Sequence, residues 1–336
     1  MRSRLLYFIA VRVLLMIPMI LILLVFVFFM MRLLPGDAAI ALAGQTATDA
    51  QIALIRHRYG LDLPLSVQFV QYMQQLFTGN LGLNITGAKP IVYLVGLALP
   101  KTLELAVSGV FLGSVFGVLL GKLSAPSSGK KVSGTGYVVT QLVLSLPIYW
   151  VALLLQLFLG VYLRVLPVLG LTGPSPPAQV TGVPVLDSII TGNLPALGDS
   201  LLHLILPTLS IALIYMAPVA ALTRANFIRV SEEDYIVTQK ASGLPKSTIE
   251  YKYTLKNALL PVVTLIGVQF AGLVSGAVLI ESVYNIPGLG SLLVLAINQR
   301  DFNLIQATIV YIGIMVALTS VLIDVVYSII DPRVKY

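Results

Sequence analysis

Bond chemistry needs a nucleophile, a base or a metal, and this chain offers little of any. It has no cysteine and two histidines, His57 and His203, far apart in sequence. Disulfides, thiolate nucleophiles and a Cys/His metal centre are therefore not expected. The stretch "SSGKKVSG" places Gly129 and Lys130 as a phosphate-binding loop would, but Lys131 stands where Ser or Thr is needed and Ser124 where Gly is needed. Glu104, Glu281 and Asp324 fall within a turn or two of the ends of apolar stretches, so structural or interfacial roles are expected of them rather than an ion relay. Ionisable side chains gather in one place only. The segment Arg224–Lys256 holds ten of the chain's 35 charged residues, 21 basic and 14 acidic.

That segment reads as two short helices. Ser231 is positioned to cap the first, with Asp234 three residues on as its capping-box partner and Glu232 and Glu233 at the positive helix end. Gly243 stops it. Leu244-Pro245 then starts a second helix, with Ile249 and Tyr253 on one face, running through Asn257 to Pro261. The pair is too polar for lipid and suited to docking into another protein.

The rest of the chain is built to hold that loop at a membrane. Of 336 residues, 57% are hydrophobic and 10% charged, far from the roughly 25% charged of a soluble domain. Val13–Met31 runs nineteen residues without a charge, enough for one span as a helix and too long for a signal-peptide core. Five further apolar stretches are read at about Leu103–Leu123, Gly136–Val161, Leu201–Leu222, Ala258–Ile280 and Leu304–Ile330. Six spans place both termini on one side. Fourteen of the 21 Lys and Arg fall on the face that carries the termini and the charged loop, which the positive-inside rule assigns to the cytoplasm. Residues 32–101 then lie outside.

That outer segment carries helical spacing at Ile52, Ile55 and Tyr59 and again at Val67, Val70, Met73 and Phe77, with Asp62 and Pro64 opening the second helix and Gly79 closing it. It is read as a small helical subdomain. Within the spans, Gly109, Gly113, Gly117 and Gly121 leave one helix face without side chains, and Gly272 and Gly276 repeat the device, so close backbone packing or a sliding helix is expected there.

The order "DYIVTQKASG" then "LKNALLPVV" resembles the cytoplasmic loop of binding-protein-dependent ABC importer permeases, specifically the oligopeptide/dipeptide/nickel permease family, first permease subunit type. The likeness continues through "RVLLMIP" at Arg12–Pro18, "RLLPGD" at Arg32–Asp37, "YGLDLPLSVQF" at Tyr59–Phe69, "LPKTLELA" at Leu99–Ala106, "ESVYNIPGLG" at Glu281–Gly290 and "DPRV" at Asp331–Val334. The resemblance implies an all-α integral membrane fold, the type I ABC importer transmembrane domain. Its parts would be a tail and first helix (1–31), the external subdomain (32–101), a five-helix core (102–330) with its coupling loop (224–256), and a cytoplasmic tail (331–336). It implies a second homologous permease, two cytoplasmic ATPases and an external solute-binding protein as partners, in the lipid of a prokaryotic plasma membrane and with no nucleic acid. ATP and Mg would sit on the partner subunits and no cofactor or metal on this chain.

The resemblance gives Asp234, Tyr235, Ala241 and Gly243 the ATPase-coupling role, and Ser231, Glu232 and Lys240 of the same segment complete the candidate set. Val237, Thr238 and Gln239 replace the Glu-Ala-Ala of the general importer motif, and Lys256 stands where that motif has proline. Both departures suit the peptide branch better than the sugar branch. Peptides are thus the expected cargo, with oligosaccharide or nickel as alternatives; a secondary transporter or channel is the reading from another class.

Overall fold

Lipid cannot hydrogen-bond a peptide group, so a chain this apolar must satisfy its backbone within helices. A computed structural model describes residues 2–33, 39–40, 47–58, 60–85, 87, 89–126 and 130–330. The expected tail, 331–336, with the whole "DPRV" motif, and residues 34–37 of "RLLPGD" lie outside the described residues.

The helices are α1 (Arg2–Leu33), α2 (Asp49–Arg58), α3 (Leu65–Phe77), α4 (Ile91–Leu123), α5 (Lys130–Leu144) and α6 (Ile148–Leu155, prolonged by a π-helical turn, Gln156–Tyr162). They continue with α7 (Pro184–Ile190), α8 (Leu194–Ser231) and α9 (Asp234–Ala241). A run here named α10 joins Lys246–Thr248, the π-helical Ile249–Leu255 and Lys256–Ala258. Last come α11 (Leu260–Gly276), α12 (Val278–Val283), α13 (Leu289–Gln299) and α14 (Phe302–Ile330).

Among the described residues, four stretches are long and apolar enough to cross a membrane unbroken: Ala10–Leu33, Ile91–Leu123, Leu194–Ser231 and Phe302–Ile323. Two more candidates are bent. Lys131–Leu144 meets Ile148–Tyr162 at 104°, and Lys246–Ala258 meets Leu260–Val274 at 48°. The third expected span, Gly136–Val161, is therefore not one helix. Pro147 sits in extended backbone at the break, because proline keeps its predecessor out of the helical region and starts a new helix readily. The fifth expected span is likewise divided, by the kink before Leu260 and by the end of α11 at Gly276.

Two helices outrun their expected limits. α4 begins at Ile91 and passes through Pro100, so the expected boundary at residue 101 falls inside a continuous helix. α8 holds 38 residues, about 57 Å at 1.5 Å per residue. It carries Arg224, Arg229 and Ser231 beyond the expected end at Leu222, so the charged loop starts as the end of a span.

The outer helices α2 and α3 form where periodicity places them, but α3 buries a different face. Val67, Val70 and Phe77 are 41%, 53% and 76% exposed. Of the expected stripe only Met73 packs inward, with Tyr72 and Leu76, against Leu24, Val27 and Met31 of α1 and Val310 of α14. Gln68 is buried on that side, donating to the carbonyls of Leu61 and Leu63 and accepting from Arg32 Nε at 3.2 Å. Tyr59 lies outside the described residues.

The central core joins Leu105 and Val110 of α4, Ala152 of α6, Leu206 and Ile211 of α8, Leu273 of α11 and Tyr284. Tyr284 ties three of these parts, since its hydroxyl lies 2.7 Å from Ser210 Oγ and 3.2 Å from the Ala152 carbonyl oxygen.

Candidate coupling site and the helices that carry it

α9 is a two-turn helix lying just past the end of α8. The expected cap does not form. Ser231 is the last residue of α8 and its hydroxyl donates back to the Ile228 carbonyl at 2.7 Å, while Glu233 takes the N-cap position of α9 with no side-chain cap bond. The capping pattern fails because α8 is still helical at Ser231, where a serine hydroxyl finds a carbonyl in the preceding turn. Glu232 closes α8 and is exposed, and Lys240 Nζ donates to the Ser231 carbonyl at 3.4 Å, a cation on the negative end of α8.

The other end of α9 is a Schellman turn. Gly243 N–H donates to the Lys240 carbonyl at 3.1 Å and Leu244 N–H to that of Gln239 at 3.4 Å, with Gly243 at φ +74°. A Cβ there would meet nothing within 4 Å, so the backbone angle alone calls for glycine.

α9 is anchored on one side and uncovered on the other. Ile236 is fully buried, and Tyr235 reaches back to α10, its hydroxyl accepting from Asn257 Nδ2 at 3.0 Å. Asp234, Val237, Thr238 and Ala241 form an exposed stripe at i, i+3, i+4 and i+7. The candidate set thus divides: Asp234 and Ala241 face outward, Tyr235 and Lys240 hold the helix in place, and Gly243 sets its exit.

The hairpin is fastened to the spans by contacts that motif reading missed. Lys122 Nζ, at the end of α4, lies 3.2 Å from Glu250 Oε2 and 2.8 Å from the Tyr251 hydroxyl, and 4.0 Å above that tyrosine's ring. Lys246 approaches the other Glu250 oxygen at 3.6 Å. Arg224 Nε donates to the Ser124 carbonyl at 2.9 Å while its guanidinium lies over Tyr137. Beneath them Ala125, Phe227, Val230 and Ala258 make one apolar cluster. The loop charges were a visible signal; their partners on distant helices were not.

The glycine ladder on α4 faces α8. A Cβ on Gly113, Gly117 or Gly121 would come 3.0, 2.7 and 2.6 Å from the carbonyl oxygens of Ala212, Met216 and Ala220, and one on Gly109 would strike Ile211. Real Cβ atoms do not come closer than about 3.0 Å, so Gly109, Gly117 and Gly121 need glycine for space and Gly113 sits at the limit. Gly272 is different, and the close packing expected there is not found: it is exposed and a Cβ would meet nothing within 4 Å. Gly276 closes α11, and its surroundings lie outside the described residues.

On the opposite side from the loop, "ESVYNIPGLG" folds α12 back toward α13 around a buried carboxylate. Glu281 accepts from Thr102 Oγ1 at 2.6 Å and from Ser291 N–H at 2.8 Å, and Leu289 N–H donates to the same threonine at 2.8 Å. The carboxylate thus sits at the N-terminus of α13 and pins it to α4, a structural role in which helix-end N–H groups receive the anion. A Cβ on Gly288 would collide with it.

The helices long and apolar enough to cross a membrane thus carry at one end a polar hairpin that is anchored on one face and uncovered on the other. Residues 113–336 match the family described as binding-protein-dependent transport system inner membrane component, and residues 5–91 match the N-terminal region of such membrane components. The chain belongs to this family of membrane-spanning permease subunits.

Its relatives run the whole length. It is 36% identical over 326 residues to the dipeptide transport system permease protein DppB of Alkalihalophilus pseudofirmus, covering 97% of this chain and 98% of that one. It is 37% identical to the probable D,D-dipeptide transport system permease protein DdpB of Escherichia coli, covering 92% of each. Similarity to the glutathione transport system permease protein GsiC of Pectobacterium atrosepticum is 34%, over 98% and 99% of the two chains.

Proposed function

We propose that this chain is one of two homologous permease subunits of an ATP-driven importer and forms part of the path for di- or oligopeptides delivered by an external solute-binding protein. The observation that carries the reading is α9, held to the spans on one face and open on the other, in a chain whose relatives are named for dipeptides and glutathione. Two cytoplasmic ATPases bind ATP and Mg, and their closure moves α9. The motion passes through α8 and α10 to the spans, which open to the outside and receive the solute. This chain supplies path and lever without bond chemistry or a cofactor of its own. Both termini and the hairpin are cytoplasmic, residues 32–90 with α2 and α3 are outside, and the membrane is a prokaryotic plasma membrane.

The test is reconstitution of the chain with the ATPases, second permease and solute-binding protein encoded beside it. Uptake of labelled dipeptide that needs ATP and survives dissipation of the proton gradient is expected. Uptake driven by the gradient and indifferent to ATP overturns the reading in favour of a secondary transporter.

A further inference from the structure

A cavity of about 450 Å³ lies between the outer subdomain and the start of α14, walled by α3, the turn after it and residues from Arg300 to Ile314. That volume falls in the range of about 300–1,000 Å³ common to small-molecule sites. Five side-chain amides, two guanidinium groups, two tyrosines and one carboxylate line it. Gln306 lines it, is 93% buried by its 7% exposure, and its Nε2 has no hydrogen-bond partner among the described residues. The buried Tyr72 hydroxyl lies beside it and interacts with the same Gln306 side chain.

Two guanidinium groups, Arg32 and Arg300, open onto the same space, and neither makes an ion pair among the described residues. The one carboxylate in the wall, Asp301, is already engaged, Oδ2 by Ile85 N–H at 2.6 Å and Oδ1 by Leu304 N–H at 3.0 Å. Buried donors without acceptors cost free energy unless a ligand satisfies them. With two guanidinium groups on the same space, an anionic acceptor suits the cavity best.

We propose that this cavity binds the C-terminal carboxylate of a short peptide on the outer face of the chain, an assignment that rests on the peptide-importer reading above. Guanidinium groups suit a carboxylate through paired N–H donors. At the rim, Gln75 and Asn303 each offer a donor and an acceptor, matching the N–H and C=O of a peptide unit. Val310 and Ile314 extend the wall as an apolar surface for a side chain. A lipid phosphate would use the donors but leave the amide acceptors idle, which favours the peptide.

The experiment places the full chain in phosphatidylcholine nanodiscs and titrates Ala-Ala-Leu and its C-terminal amide by saturation-transfer NMR. Saturable binding is expected, weakened about tenfold or more by amidation, by Gln306→Leu and by Arg300→Asn, the loss of a charge-assisted hydrogen bond. Asn is chosen because Arg300 is left-handed at φ 53° and asparagine tolerates that conformation, so this exposed substitution leaves the fold intact. Absence of saturable binding, equal binding of the amide, or displacement of the peptide when phosphatidylglycerol enters the nanodisc overturns the proposal; the last outcome gives the site to lipid. The two readings fail separately. An assembled importer that takes up peptide while the chain binds none sinks the cavity alone, whereas binding without ATP-dependent uptake sinks the importer reading alone.

Discussion

Neutralising Glu250 should uncouple the hairpin from the spans without unfolding them. The Lys122 and Glu250 side chains are only 14% and 16% exposed and stand 3.2 Å apart. At an effective dielectric of about 20, that separation gives a gross attraction of roughly 5 kcal/mol, most of which offsets desolvation. Exposed pairs are worth about 0.2–1 kcal/mol and breaking buried ones costs about 3–5, so a net coupling of about 2 kcal/mol is expected for this intermediate burial. Lys246 adds little, being 75% exposed. The assay is a double-mutant cycle of Glu250→Gln and Lys122→Gln in the assembled importer, followed by thermal unfolding and by solute moved per ATP hydrolysed. Each single variant should lower the transport ratio, and the double variant should be scarcely worse than either. Additive effects, with coupling below about 0.5 kcal/mol, would refute the claim that this pair transmits force.

Gly243→Val should insert normally, cost on the order of 1 kcal/mol through its left-handed backbone, and lose uptake per inserted molecule together with bound ATPase; unchanged uptake and association would reduce the glycine to an ordinary turn. Gly117→Leu should lower the yield and thermal stability of the folded chain by driving α4 off the Met216 carbonyl, while Gly272→Ala should leave both unchanged; equal effects at the two sites would contradict the seam. A cysteine at exposed Gln75 should react with an impermeant maleimide on intact cells and one at Ser242 only after permeabilisation. The reverse pattern overturns the topology.

Some of this architecture is legible in sequence because lipid imposes it. Hydropathy locates the apolar stretches, and a four-residue glycine ladder announces a bare helix face before its partner is known. What sequence leaves open is decided by groups far apart along the chain. The apolar stripe of α3 has the right period, but its buried face is chosen by Gln68, which Arg32 and two loop carbonyls satisfy. Pro147 is plainly visible as a breaker, whereas a bend of 104° follows from how the two halves pack. Ser231 fits a capping pattern that the continuing helix overrides. The Lys122–Glu250 pair joins residues with two spans between them in the chain, a relation no local motif encodes.

The ladder also decides between the two motions open to it. Gly109, Gly113, Gly117 and Gly121 receive Ile211, Tyr215, Val219 and Thr223, a side chain from α8 every four residues seated against a glycine every four residues of α4. Sliding one helix along the other would lift all four side chains out of their notches at once, each against a backbone already in van der Waals contact. Rotation of the pair as one body disturbs none of them. α4 reaches α10 through Lys122, and α8 runs directly into α9, so both ends of the hairpin are fixed to the same rigid pair. In the proposed cycle a displacement of α9 would then be delivered to α4 and α8 together, and through Thr102 on α4 to the buried Glu281 that pins α13 on the far side. The glycines make the lever stiff rather than slippery.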